Sequence, residues 1–174
     1  EFIPFDQHDP IPLRKAIDRA RNPRQAQPAV LFDLRPHPFQ ERILDSLSLE
    51  RTLRNHRRNL VIAATGTGKT VISAFDYKNF CEEKKKRAGA LYIVYRQEIL
   101  HQALATFRNV LRDHNFGEML VGPYQANRLE HLFCSVGMLS GRRLWDQVGR
   151  EFYDYIVVDE AHHDERPADE IDQL

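Results

Sequence analysis

Cysteine is scarce in this sequence, which contains only two, and neither lies near the other in the chain. Cys81 and Cys134 are far apart in the chain and form no CxxC pair. The pattern therefore indicates neither a disulfide framework nor a cysteine-based metal knuckle. It fits a reducing compartment, and we expect a cytoplasmic location.

Long hydrophobic runs are also missing. No apolar run approaches the roughly 18 residues that a membrane-spanning helix needs, and the N-terminus lacks the basic-then-apolar layout of a secretory signal. We therefore expect no membrane partner. The sequence opens at Glu1 without an initiator methionine, which predicts a processed chain or a piece of a longer protein.

Net charge is absent as well. The 25 lysines and arginines balance the 25 aspartates and glutamates. This total argues neither for nor against a nucleic-acid partner, because a balanced sum can combine one basic face with one acidic face. The length of 174 residues suits one compact domain with a substantial core.

The first 36 residues differ in composition from the rest. Residues 1–36 carry most of the prolines and a basic stretch, LRKAIDRARNPRQ, and we interpret them as a lead-in or linker segment. Residues 37–174 remain for a folded domain. At its start, HPFQERILDSLSLERTLRNHRRN predicts an amphipathic helix, because its apolar residues recur at helical spacing. They are Phe39, Ile43, Leu44, Leu47 and Leu53.

Strand and helix patterns alternate along the rest of the chain. The predicted strands are NLVIAA (59–64), ALYIVY (90–95), EMLVG (118–122), HLFCSV (131–136) and YDYIVVDE (153–160). The predicted helices are KTVISAFDYKNFCEEKKKR (69–87), QEILHQALATFRNVLRDH (97–114) and GRRLWDQVGREF (141–152). The alternation predicts an α/β fold with a mostly parallel sheet and helices on both faces. Ligands are then expected at the carboxyl ends of the strands.

The stretch NLVIAATGTGKTVIS (59–73) has the composition of a phosphate-binding loop. Backbone N–H groups can hold phosphate from a tight loop that opens a helix, and glycine permits both the turn and the close approach. Lys69 would reach the β- and γ-phosphates, and the Thr70 hydroxyl would bind Mg²⁺. The alternative is a Gly-rich turn with a solvated lysine. The residues expected to contact the nucleotide are Ala63, Thr65, Gly66, Thr67, Gly68, Lys69 and Thr70.

The second half of a nucleotide site is expected at the end of another parallel strand, as an acidic residue that holds Mg²⁺, and YIVVDEAHH supplies it. Asp159 would hold Mg²⁺, and Glu160 could orient and deprotonate an attacking water. One alternative is an ordinary strand end with solvated acids. Another is a zinc cluster at His162 and His163, which the missing HExxH spacing and the missing partner cysteines disfavour.

These two motifs carry a resemblance to a known family. The general phosphate loop has glycine where this chain has Ala63, and the variant AxxGxGKT resembles motif I of superfamily 2 helicases and translocases. Asp159 to His162 spell DEAH, which is similar to motif II. The chain looks most like the motor subunits of type I and type III restriction enzymes, over about residues 36–165. The resemblance implies an N-terminal RecA-like P-loop NTPase domain that uses ATP and Mg²⁺, with Lys69 and Glu160 in catalysis.

Weaker motifs extend the resemblance. HPFQERIL looks like the Q-motif region, in which Gln40 would read adenine; otherwise Gln40 is a surface residue of an amphipathic helix. LYIVYRQEILHQA is similar to motif Ia, with Arg96 and Gln102 as contacts to nucleic-acid phosphates, although a solvated Arg96 is the alternative. In HLFCSVGMLS, Gly137 and Met138 replace the glutamine and threonine usual in relatives, and no nucleic-acid contact is predicted there.

The resemblance implies one half of a nucleic-acid-dependent motor. In this family, ATP binds between two RecA-like domains and the second domain supplies arginine fingers. We find neither motif III nor motif VI, so we expect a truncated motor that lacks the C-terminal RecA-like domain and has little or no ATPase activity alone. DNA is favoured over RNA as the partner. The alternatives are a nucleotide-binding module without productive turnover and a double-stranded DNA translocase that does not separate strands.

Overall fold

A computed structural model describes residues 34–122, 126–142, 148–149 and 151–159. Helices and strands alternate through this part of the chain. The helices are α1 (Pro38–Thr52), α2 (Lys69–Lys84), α3 (Glu98–Leu111) and α4 (Val136–Arg142). The strands are β1 (Ala90–Val94), β2 (Glu118–Leu120), β3 (His131–Ser135) and β4 (Tyr155–Asp159). No helix among the described residues is both long enough and apolar enough to cross a membrane.

The four strands form one parallel sheet in the order β2-β3-β1-β4. β1 lies at the centre, with Val94 paired to Ser135 of β3 on one side and to Asp159 of β4 on the other. All five residues of β1 are buried, as a parallel strand covered on both faces requires. The prediction of an α/β fold with a parallel sheet is confirmed.

Alternate residues of β1 enter two separate cores. Ala90, Tyr92 and Val94 face a cluster that contains Tyr77 of α2 and Phe107 of α3. Successive side chains of a strand point to opposite faces, so Leu91 and Ile93 face the other cluster. That second cluster includes Leu139 of α4. Helices therefore cover both faces of the sheet, as predicted.

The apolar side chains of the helices follow the helical period and form the buried faces that pack in the core. α3 buries Leu100, Ala103, Leu104, Phe107 and Val110, which recur at intervals of three and four residues. α1 begins with Pro38, whose missing N–H costs nothing in the first turn of a helix. Leu53, which the predicted helical spacing included, is 78% exposed and lies just after the last residue of the helix, Thr52.

A polar network joins α1 to α2 and to β4. Arg51 donates two hydrogen bonds to the carboxylate of Asp76, at 2.8 and 2.9 Å, and a third to Glu83 at 3.2 Å. The Tyr155 hydroxyl donates to Asp76 at 2.8 Å. Burial raises the pKa of Asp76 more than Arg51 lowers it. Desolvation also acts to raise the pKa of Glu83, but hydrogen bonds from Arg51 and Ser48 outweigh it and lower that pKa.

The predicted strand at residues 59–64 is not formed. Leu60 is 80% exposed and Ile62 is 87% exposed, and neither lies in a sheet. A short strand is stable only when its backbone groups pair with a neighbour. No described segment pairs with residues 59–64, and none pairs with the outer edge of β4. The segment has the apolar composition of a strand, but the partner that would make it one is not among the described residues.

Two further predictions differ from the structure or fall outside it. The helix expected at residues 141–152 is not formed as predicted: α4 (Val136–Arg142) ends at Arg142, and of the later described residues Val148 is helical whereas Gly149, Glu151 and Phe152 are not. Residues 143–147 lie outside the described part of the chain. The lead-in segment is also outside it as far as residue 33.

Candidate functional site

The phosphate loop, defined here as residues 63–70, has the backbone shape that its glycines suggest. Gly66 has φ +83° and Gly68 has φ +80°, both in the left-handed region that residues with a Cβ rarely adopt. A Cβ at Gly66 would meet no atom within 4 Å, so the loop is open at that point. Gly66 is therefore required for backbone conformation rather than for space.

Gly68 is required for a second reason. A Cβ at this position would lie 2.7 Å from Nε2 of Gln40, which is closer than carbon and nitrogen can approach. Gln40 is 3% exposed. Its Nε2 donates to the carbonyl oxygen of Thr67 at 2.9 Å, and its Oε1 accepts from the backbone N–H of His37 at 2.9 Å. The side chain of Gln40 thus connects the start of α1 to the phosphate loop.

Hydrogen bonds within the loop also stabilise its conformation. The Thr67 hydroxyl donates to the carbonyl oxygen of Ala64 at 2.7 Å. Lys69 Nζ donates to the carbonyl oxygen of Ala63 at 3.2 Å, so its ammonium group folds back over the loop. A phosphate group bound in the loop would therefore have this cation nearby.

The first residue of α2 follows Gly68 directly, so the loop lies against a helix N-terminus. The free N–H groups of that first turn and the helix dipole both favour an anion. α2 connects to β1 through residues 85–89 and therefore runs opposite to the strands. Its N-terminus consequently lies at the edge of the sheet that is formed by the carboxyl ends of the parallel strands.

Asp159 is the last residue of β4 and lies at that same edge. Its Oδ2 accepts a hydrogen bond from the Tyr92 hydroxyl of β1 at 2.6 Å. The Tyr155 hydroxyl at the start of β4 donates to the carbonyl oxygen of Ser73 in α2 at 3.3 Å. A hydrogen bond therefore joins the start of β4 to α2.

The donor groups suit a nucleotide and a hard cation. Thr70 supplies a hydroxyl and Asp159 a carboxylate, and oxygen ligands of these kinds are those that Mg²⁺ prefers. Gly66 leaves the loop open to an incoming phosphate, with Lys69 beside it. Thr65 and Gly66 are exposed, whereas Thr67, Gly68, Lys69 and Thr70 are half-buried. The residues present thus fit a metal-bound phosphate.

Other predicted site residues are exposed or lie beyond the described chain. Arg96 follows β1, and Gln102 lies on α3; both are exposed on the surface, and no hydrogen bond joins them to the loop. Glu160, His162 and His163 fall outside the described residues. Among those that are described, no group of three or more histidine, cysteine, aspartate or glutamate side chains could hold a metal.

Sequence reasoning missed Tyr92 in this site and Arg51 in the polar network next to it. Tyr92 was predicted only as part of a buried strand, and Arg51 was not singled out. A hydroxyl or a guanidinium at a position whose pattern predicts burial needs a polar partner, and this was the available signal. The identity of the partner could not be read, because it depends on which strands and helices are adjacent.

Comparison with known proteins gives one family. A family model described as "Type III restriction enzyme, res subunit" matches residues 33–171, which is more than half of the chain. The match covers the phosphate loop, the whole sheet and Asp159. No curated protein matches the chain.

Proposed function

The chain belongs to the family of the type III restriction enzyme res subunit, and we propose that it is the ATP-binding half of a nucleic-acid-dependent motor. The family implies an ATP-dependent domain of the helicase or translocase type. The observation that carries the proposal is the phosphate loop, with left-handed Gly66 and Gly68 at the N-terminus of α2. Asp159 ends a strand of the adjoining sheet at the same edge.

Each residue would have a distinct task. The loop N–H groups and Lys69 would hold the phosphates, and Thr70 and Asp159 would hold Mg²⁺. The bound Mg²⁺ would neutralise charge on the phosphate oxygens. Glu160, directly after Asp159 in the sequence, would orient the attacking water and accept its proton. Gln40 would pair with the adenine edge, since an amide can form two hydrogen bonds with it.

Turnover and movement would require a second RecA-like domain. Charge accumulates on the transferring phosphoryl group, and an arginine finger typically accelerates such reactions by about 10³ to 10⁵. That factor corresponds to roughly 4 to 7 kcal/mol of barrier. Among the described residues, no segment pairs with the outer edge of β4, and Leu60 and Ile62 are exposed, which supports a sheet that is not fully assembled. Residues 37–174 would form the ATP-binding domain, with residues 1–36 as a lead-in.

Movement on DNA is the proposed output, with Arg96 and Gln102 as phosphate contacts. Both side chains are exposed, as residues that meet a nucleic-acid backbone must be. Strand separation and translocation along an intact duplex are both compatible with this site. Assays of unwinding and of translocation by the full-length protein would distinguish them.

The test is phosphate release by this 174-residue chain and by the full-length protein, each with and without DNA or RNA. We expect the chain to bind ATP weakly and to hydrolyse it at a negligible rate, and the full-length protein to be stimulated by DNA. Glu160→Gln in the full-length protein is the control for hydrolysis. Rapid, DNA-stimulated turnover by the chain alone, lost in Glu160→Gln, would overturn the half-motor proposal.

A nucleotide-binding module without productive turnover is the second candidate. The observation that favours it is the exposure of the segment before the loop, where Leu60 and Ile62 lack a strand partner among the described residues. It predicts ATP binding with no hydrolysis in any length of the protein. Phosphate release by the full-length protein with DNA would reject this candidate.

A further inference from the structure

A tyrosine hydroxyl is bonded to the carboxylate that would hold the metal. Tyr92 of β1 donates to Oδ2 of Asp159 at 2.6 Å, although the two residues are 67 positions apart in the sequence. A hydroxyl bonded to an ionised acceptor at this distance forms a strong, charge-assisted hydrogen bond. The other oxygen, Oδ1, accepts no hydrogen bond from any residue that the structure describes.

The strand register explains why this bond forms. Tyr92 pairs with Val157, and Val94 pairs with Asp159, so Tyr92 and Asp159 are diagonal neighbours on one face of the sheet. A long aromatic side chain can span a diagonal pair of this kind. The contact therefore depends on β1 and β4 being adjacent, and not on any loop.

The ring of Tyr92 has little freedom to move. It stacks on Phe133 with centroids 5.3 Å apart and an interplanar angle of 22°. It also meets Phe107 edge-on at 5.5 Å, and the whole residue is 2% exposed. Packing on two sides fixes the hydroxyl, and the hydroxyl in turn restricts rotation of the Asp159 carboxylate.

We propose that Tyr92 is a positioning residue that presents Asp159 to the metal through a single oxygen, Oδ1. Mg²⁺ requires near-octahedral geometry and accepts few protein ligands, whereas Ca²⁺ tolerates carboxylates that bind through both oxygens. A carboxylate with one oxygen held by a tyrosine is suited to the first mode. Tyr92 would thus favour Mg²⁺ over Ca²⁺, and this inference rests on the proposed function.

The test compares Tyr92→Phe with the wild-type 174-residue chain by calorimetry, using ATP in EDTA, ATP with Mg²⁺ and ATP with Ca²⁺. Phenylalanine keeps the packed ring and removes only the hydroxyl. We expect unchanged affinity for ATP in EDTA and a loss of about tenfold in the enhancement by Mg²⁺, because partners of metal ligands typically have effects of this size. The Ca²⁺ enhancement should fall less. Spin resonance of Mn²⁺ bound with ATP gives a second readout.

Tyr77→Phe is the matched control. The Tyr77 hydroxyl is also buried and donates to a carbonyl oxygen, that of Ala88, at 2.6 Å. It lies on α2 and does not contact Asp159. Its removal should leave the Mg²⁺ enhancement unchanged, even where it lowers thermal stability as much as Tyr92→Phe does.

A double-mutant cycle with Asp159→Asn tests whether Tyr92 acts through Asp159. In the Asp159→Asn background, Tyr92→Phe should cause no further loss of Mg²⁺ enhancement; a full additional loss would show that Tyr92 acts elsewhere. Unchanged Mg²⁺ enhancement in Tyr92→Phe would overturn the positioning role. If the wild-type chain binds ATP equally well with Mg²⁺ and in EDTA, the proposed metal site itself fails, which is a separate outcome.

Discussion

Gln40 of α1 donates a hydrogen bond from Nε2 to the carbonyl oxygen of Thr67 in the phosphate loop, at 2.9 Å. The same side chain accepts from the backbone N–H of His37. A residue proposed to read adenine therefore also supports the loop that would hold the phosphates. Replacing Gln40 should consequently change both the recognition of the base and the binding of the phosphates.

Gln40→Ala should weaken binding of ATP and of GTP, by about three- to tenfold each, because one hydrogen bond to the loop is lost. If Gln40 also reads adenine, the wild-type preference for ATP over GTP should fall towards one. Fluorescence titration with both nucleotides measures the two effects. Equal affinity of the wild type for ATP and GTP would remove the adenine-reading role, and unchanged affinities in the variant would remove the supporting role.

Lys69→Ala should reduce the affinity for ATP with Mg²⁺ by more than tenfold, because the cation next to the bound phosphates is lost. Lys78→Ala, an exposed lysine on the same helix, is the control and should bind like the wild type. Calorimetry on folded variants measures both. An unchanged affinity in Lys69→Ala would contradict the phosphate-loop assignment.

Arg51→Met should lower the free energy of unfolding at pH 7 by about 2 to 4 kcal/mol, since it leaves the buried carboxylate of Asp76 without its cation. Urea denaturation measures the change. Arg54→Met removes an exposed ion pair with Glu50 and should have little effect.

The loss in Arg51→Met should also depend on pH. The pKa of Asp76 is raised by burial, so its ionised form is a cost to folding that disappears once the carboxyl is protonated. The pKa of Glu83 is lowered, so its contribution is present above its unfolded pKa and is lost as the pH falls. Both effects should make the difference between Arg51→Met and the wild type smaller near pH 4 than at pH 7. A difference that grows on acidification would contradict this account.

The wild type should lose stability between pH 7 and pH 5 through His131. Burial against Phe116, 4.7 Å away between ring centroids, lowers the pKa of His131 in spite of nearby Glu130. The unfolded chain then binds a proton that the folded one does not, so stability falls as the pH drops through about 6.5. His131→Phe should flatten the dependence in chemical denaturation.

The thiol of Cys134 should resist alkylation at pH 8, because burial raises its pKa to about 12. Cys81 is partly exposed and should react. Mass spectrometry after iodoacetamide treatment of the folded chain should show a single label, which Cys81→Ser removes. Labelling of Cys134 at a similar rate would show that its core opens readily.

The sequence by itself determined which segments form helices and strands in most of the described chain. α3 and β1 could be read directly, because apolar spacing depends only on the period of the element. The phosphate loop could also be predicted from the sequence. The conformations of Gly66 and Gly68 follow from a local requirement for positive φ at the turn into α2.

Tertiary structure decided the features that depend on adjacency. Residues 59–64 have the composition of a strand, but a strand also needs a neighbour, and none of the described segments provides one. The bonds from Tyr92 to Asp159 and from Arg51 to Asp76 join residues on elements that are distant in the sequence. Local patterns fix the period of an element, whereas the strand order and the packing of α1 on α2 arise only when all of the elements bury their apolar faces together. The polar partners inside the protein follow from that collective packing, which no single segment encodes.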